Sequence, residues 1–325
     1  MSSSLSPKII EEMILKNYTE YISLFGEFQS NFFSSLNKKY QNLDSGQLVL
    51  YFERNSHQSI LRKKDYDLNF DLSFDKFWQN HSESKIEQTT IMNISKNTLL
   101  PKETARRKIL DLVKQKIINK KSNYIAWLPN EQYKQNYNEF IGNEITQISK
   151  LVKYISRKIN LSFSQIDVEN EFKNKFSFYW FHYLDTQLKY MNLWKKYFKD
   201  IEIIFILLQI STVVASRAKL DNISSTNTFK NYKIVSDKLG VDSISVSATS
   251  ISDITGLPRA TCIRKLNALN ELKIVTQNNI TKRYSLGPGA IAINSGTHKI
   301  ALDVVKVYSE FYFICIRMLT AKSAN

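Results

Sequence analysis

Sliding the chain against itself by 157 residues places Ile94-Ser95 on Ile251-Ser252, Thr98 on Thr255, Leu100-Pro101 on Leu257-Pro258 and Thr104 on Thr261. The register continues without a gap through Arg107-Lys108 on Arg264-Lys265, Leu112 on Leu269 and Lys116-Ile117 on Lys273-Ile274, giving eleven identities in the 24 positions 94 to 117. Average composition alone gives about one or two. The same offset lays Leu36, Lys38, Lys39 and Tyr40 on Leu193, Lys195, Lys196 and Tyr197, far upstream. A period this long exceeds the roughly 20–50 residues of solenoid repeats. The chain therefore reads as a tandem duplication of one domain-sized unit, residues 1–158 and 159–325. Whatever architecture serves one copy must also serve the other.

Within the first copy, Ser6-Pro7 offers a helix start, and Ile9, Met13, Tyr21, Leu24, Phe28 and Phe32 recur at helical spacing as far as Tyr40. A second helix is expected near residues 47–62, with counterparts in the second copy at about 165–199 and 201–219. Tyr66, Leu68, Phe70, Leu72 and Phe74 alternate with polar residues, a period of two that predicts an extended, half-buried segment. The aspartates of that run do not make a calcium loop. One starting at Asp65 needs Gly sixth and Glu twelfth, where this chain has Phe70 and Lys76. Each copy closes in a long helix, about 130–158 and 299–320, the latter apolar nearly all round and so expected to be buried.

The duplicated motif has the pattern of a helix-turn-helix: a short helix (89–98, or 247–255), a tight turn, and a longer helix opened by Pro101 or Pro258, read as its first residue. Gly256 suits the turn in the second copy, where the first has Leu99. Ala105, Ile109 and Leu112, and likewise Cys262, Leu266 and Leu269, stand at i, i+4, i+7 and should face the core. The opposite face then carries Lys102, Thr104, Arg106 and Arg107 with Lys108 in one copy, and Arg259, Thr261, Ile263 and Arg264 with Lys265 in the other. A helix that offers cations and hydroxyls from its N-terminal half can grip guanine edges and phosphate oxygens in a major groove. Strand-like residues follow, Ile117-Ile118 and Tyr124 to Leu128 around a tip at Asn119 to Asn123, then Ile274-Val275 and Thr281 to Leu286 around Gln277 to Asn279. Both read as β-hairpins that bring Lys120 and Lys121, or Lys282 and Arg283, to a neighbouring backbone.

Charge supports this placement. Residues 96–121 hold nine Lys/Arg against two acids and residues 253–283 hold six against two, so these windows supply +11 of the net +15. Such a footprint makes double-stranded DNA the expected partner. Other chemistries find no pattern. His57, His81, His182 and His298 are too scattered for a metal signature, and the eight glycines form no nucleotide-binding or nucleophile-elbow motif. No enzyme activity, cofactor or metal is expected. Cys262 and Cys315 give neither disulfide framework nor zinc spacing, which fits a reducing compartment, and residues 1–8 lack a signal-peptide pattern. The apolar run 203–215 has 13 residues where a membrane span takes about 20, so it reads as a core helix and no membrane partner is expected. The aromatic cluster Phe176, Phe178, Tyr179, Trp180, Phe181 and Tyr183 reads first as core or interface and second as the lining of a pocket for an unidentified small-molecule effector.

Residues 257–269, Leu-Pro-Arg-Ala-Thr-Cys-Ile-Arg-Lys-Leu-Asn-Ala-Leu, with Lys273-Ile274-Val275, resemble the recognition helix and wing start of winged helix-turn-helix transcription regulators, the MarR and IclR types in particular. Residues 100–108 are similar, and the match covers about a quarter of the chain. The resemblance implies a mainly α protein with two tandem winged helix-turn-helix units, near residues 88–129 and 245–288, joined by long packed helices as a pseudo-twofold dimer within one chain. It also implies sequence-specific regulation of transcription in the cytoplasm, at the nucleoid. Two other uses of tandem winged helices stay open: a protein-interaction scaffold and a replication initiator that binds origin sites.

Overall fold

Short polar side chains mark where many of the helices begin in the computed structural model, which describes residues 5–84, 89–121, 124–223, 228–291 and 296–323. Ser6 accepts a hydrogen bond from the Ile9 N–H ahead of α1 (Pro7–Lys16), and Asn42 accepts one from Ser45 ahead of α3 (Leu43–Lys64). Thr90 caps α5 (Ile91–Thr98), Asn130 caps α7 (Glu131–Lys158), and Asp200 caps α10 (Ile201–Leu220). Ser164 and Asp167 form a reciprocal capping box on α8 (Gln165–Asn174). Each such bond satisfies an N–H that the helix itself leaves unpaired. The other helices are α2 (Tyr18–Tyr40), α4 (Phe77–Glu83), α6 (Lys102–Lys114), α9 (Phe176–Phe198), α11 (Thr228–Leu239), α12 (Ala248–Thr255), α13 (Arg259–Glu271), α14 (Pro288–Ile291) and α15 (Gly296–Ser323). Strands β1 (Ile118–Lys121) with β2 (Tyr124–Trp127), and β3 (Val275–Gln277) with β4 (Tyr284–Leu286), make two antiparallel hairpins. The protein is mainly α with two small antiparallel sheets.

The sequence repeat reappears element by element. α5 and α6 map onto α12 and α13 residue for residue at the 157 offset, and the caps Thr90 and Ser247 coincide as well. Each hairpin also gains a bridge from the residue just ahead of the first motif helix, Thr89 to Ile125 and Val246 to Tyr284. Two expectations need correction. The helix reaching Tyr40 breaks at Asn17, whose side chain turns back to donate to the Met13 carbonyl, and its counterpart breaks at Lys175. Local bonding of this kind competes with the helical ladder.

The run 65–75 is not a strand. Asp67 accepts the N–H of Asn69 and Asp71 that of Ser73, so the alternating aspartates that created the period of two fold the backbone into Asx turns instead. Tyr66 and Leu68 are left 93% and 84% exposed.

Spatially the chain forms two compact units, and these do not follow the division at 158/159. Unit 1 comprises Met1–Lys39 and Leu193–Ser309, and unit 2 comprises Tyr40–Asn192 and Glu310–Asn325. Unit 1 thus combines α1 and α2 of the first copy with the motif helices α12 and α13 of the second. Unit 2 combines α8 and most of α9 from the second copy with α5 and α6 of the first. In unit 1, Ser34 and Asn37 on α2 donate to the carbonyls of Ile254 and Thr255 at the end of α12. In unit 2, Asn192 on α9 donates to the carbonyl of Asn97 at the end of α5.

Each unit is centred on one helix. In unit 2, α3 packs on α4, α5, α6 and β2. In unit 1, α10 packs on α11, α12, α13 and β4. α10 is the one helix among the described residues that is long and apolar enough to cross a membrane, and 56% of its most apolar window is buried inside the protein. Gly26 on α2 sits tight against it: a Cβ there would lie 2.5 Å from the Thr212 hydroxyl.

The motif turn holds a residue in the left-handed region in both units, Leu99 at φ 54° and Gly256 at φ 68°. That conformation costs a β-carbon-bearing residue on the order of 1 kcal/mol and glycine almost nothing. Leu99→Gly is expected to raise the stability of unit 2 by roughly 0.5–1 kcal/mol, and Gly256→Leu to cost unit 1 a similar amount or more. Space is not the issue at Gly256, where an added Cβ would meet only Asn37 Nδ2, at 3.6 Å. Thermal denaturation of both variants checks this; equal and same-signed shifts would sink it.

Candidate functional site

Two hydroxyls shape the turn ahead of each cationic helix. Ser95 donates to the Leu100 carbonyl at 2.6 Å and Thr98 to that of Ile94 at 2.8 Å. Ser252 and Thr255 repeat both bonds, to Leu257 at 2.7 Å and Ile251 at 2.6 Å. Pro101 and Pro258 follow at φ −53° and −54° with ψ of 139° and 134°. They stand one residue before the helix, a correction to their reading as its first residue: the extended ψ turns the chain into the helix rather than continuing it.

Ala105, Ile109 and Leu112 on α6, and Cys262, Leu266 and Leu269 on α13, are fully buried. That burial fixes the rotation of each helix. On α6 it turns Lys102, Arg106 and Arg107 out to solvent, with Thr104 and Lys108 half-buried. On α13 it exposes Arg259 and Arg264, with Thr261 and Ile263 half-buried. Arg106 is not idle: its Nε and Nη2 grip Glu103 one turn earlier, at 2.9 and 2.6 Å, which holds that carboxyl below its usual range. Exposed pairs of this kind exchange readily with solvent. Arg259 donates from Nε to the Thr249 hydroxyl at 3.1 Å, which links the start of α13 to α12.

Three residues expected on the outward face behave differently. Lys265 is only 7% exposed and pairs with Asp200 and, at 3.0 Å, with Glu202 at the start of α10. It lies beside Leu269 on the helical wheel, at the edge of the buried face, where its ammonium reaches the start of α10. Arg283 is half-buried, and it donates to the Ser245 hydroxyl at 3.0 Å and to the Ser245 carbonyl at 2.5 Å, clamping the hairpin to the segment before α12. Lys121 closes β1 opposite Tyr124. Its side chain, with Ser122 and Asn123 of the expected tip, lies outside the described residues. Lys120 and Lys282 are exposed as expected.

Beyond these, Lys96, Lys114 and Lys116 in unit 2 and Lys273 in unit 1 are also exposed, and the sequence had marked them only as part of a charged window. At the 157 offset Lys96 is matched by Asp253, so the outward surface of unit 2 is the more strongly basic. In unit 1 the tip of the second hairpin carries an apolar residue, Ile280, that no periodicity had singled out. An isolated apolar side chain in a turn leaves no pattern to find.

Other polar clusters are packed rather than open. The His57 ring stacks on Phe77 at 4.6 Å, and burial drives its imidazole well below the usual range. Burial takes His81 down to about 4, and its Nδ1 lies 2.5 Å from the Ser56 hydroxyl. Burial pushes the Cys262 thiol up, away from the reactive thiolate. Phe176, Tyr179, Trp180 and Tyr183 are core residues of unit 2, with Phe178 and Phe181 half-buried beside them. Among the described residues no group of three or more His, Cys, Asp or Glu could hold a metal ion. No protein-family model, no curated protein and no solved structure matches the chain.

Proposed function

We propose that this chain is a sequence-specific, double-stranded DNA-binding regulator of transcription, with a winged helix-turn-helix unit in each compact unit. One observation carries the reading. In both units the helix after the turn buries one face completely and offers its cationic N-terminal half to water, with a hairpin directly behind it. In this reading the base- and phosphate-facing groups are Lys102, Thr104, Arg106, Arg107, Arg259, Thr261 and Arg264, with Lys120 and Lys282 on the hairpins. Lys265 and Arg283 serve the scaffold. The protein works without catalysis or cofactor, at the nucleoid, and α10 acts as a core helix.

Gel shift on duplex DNA across a salt series tests the proposal. Binding should weaken with a log–log slope of about −0.9 per phosphate neutralised. Absent binding, or a flat response, would replace DNA with a protein partner. Footprinting on genomic fragments then separates promoter sites from an origin of replication.

A further inference from the structure

The two hairpins differ at their tips in a way the repeat does not anticipate. In unit 2 the sequence joining the two strands runs Lys120, Lys121, Ser122 and Asn123. In unit 1 it holds Ile280, whose side chain is 91% exposed with Lys282 exposed two residues on. Solitary exposed apolar residues are common on protein surfaces, so exposure alone argues nothing.

The surrounding geometry does. Asn278 Oδ1 accepts the N–H of both Ile280, at 2.8 Å, and Thr281, at 3.1 Å. The Asn278 N–H donates to the Arg283 carbonyl, and the Lys282 N–H to that of Asn278, each at 2.9 Å. Asn278 Nδ2 reaches Asp242 Oδ1 at 3.2 Å, and the Arg283 clamp on Ser245 holds the hairpin base. The tip is thus closed by its own bonds and anchored to the 3-10 turn Val241–Ile244 and the segment after it. A loop so fixed presents its isoleucine in one place at little entropic cost on binding.

We infer that Ile280 is a DNA wedge: it enters the minor groove and partly unstacks a base step, with Lys282 held against the adjacent phosphate. Apolar side chains used in this way open a step and bend the duplex toward the major groove, by roughly 20–90°. A β-branched, conformationally stiff residue is suited to that task. The chain then bends DNA at one of its two contact regions and not at the other, because the sequence of the first hairpin has no apolar residue from Asn119 to Asn123. The inference rests on the DNA-binding reading above and adds which groove is deformed, and by which residue.

The test uses the full chain and short duplexes, selected by the wild-type protein from a random-sequence pool and labelled with a dye at each end. Energy transfer between the dyes, read at saturating protein, reports the bend independently of affinity. The wild type should bend the duplex. Ile280→Asn should remove at least about half of that bend, Ile280→Phe should keep it, and Lys282→Ala should lower the salt slope by about one phosphate. If the wild type selects no duplex, the DNA-binding reading itself fails and the wedge falls with it. If it binds with the expected salt slope yet the duplex stays straight, or Ile280→Asn bends it fully, the wedge alone is overturned.

Discussion

Replacing Arg107 and Arg264 together with alanine is expected to weaken duplex binding by about 2 to 6 kcal/mol, since each arginine contact to base or phosphate is worth roughly 1–3 kcal/mol. These two are chosen because they are identical at the 157 offset and exposed in both units, and because neither shares the ties that engage Arg106 with Glu103 or Arg259 with Thr249. The melting temperature should stay where it was, as neither side chain contributes to a buried core. Titration of both single variants and the double variant, with thermal denaturation alongside, checks the claim. Affinity and stability falling in parallel would make the arginines structural and remove the interface.

Glu144→Gln should flatten the pH dependence of unit 2 and leave it more stable above neutrality, by roughly 4 kcal/mol. The Glu144 carboxyl on α7 is buried, accepts a hydrogen bond from the Tyr183 hydroxyl at 2.8 Å, and is pushed up to about 7 by its burial. An unfolded glutamate titrates near 4.3. The folded state therefore holds the proton more tightly than the unfolded chain. Its stability contribution is complete below about pH 4, declines as pH rises through 7, and is lost above that. A shift of this size, at about 1.4 kcal/mol per unit, gives the figure quoted. Glutamine has nothing to titrate and keeps an acceptor for Tyr183. Denaturation midpoints from pH 5 to 8 should diverge for the two proteins, and parallel curves would refute the buried, protonated carboxyl.

Local chemistry was legible in the residues. The Ser6 cap, the i, i+4, i+7 burial of Ala105, Ile109 and Leu112, the two hairpins and the long closing helices all follow from spacing that acts within a few turns. Two kinds of information were not. Lys265 matches Lys108 in sequence and is expected to share its role, yet it is drawn inward by Asp200 and Glu202, some 65 residues earlier, and no periodic pattern records such a partner. The segment 65–75 had the right period for the wrong reason, because its aspartates bond their own backbone instead of a neighbouring strand. An offset also shows that two segments are alike without showing which helix packs against which motif. That is why the compact units cut across the repeat.

This crossing of segments has a consequence for how the polypeptide can be divided. Unit 1 needs residues 1–39 and 193–309, and unit 2 needs residues 40–192 with 310–325. Truncating the gene at its own midpoint would strip scaffold from both surfaces at once and yield no half-strength product. The two halves are laced together, so they must be inherited, made and lost as one.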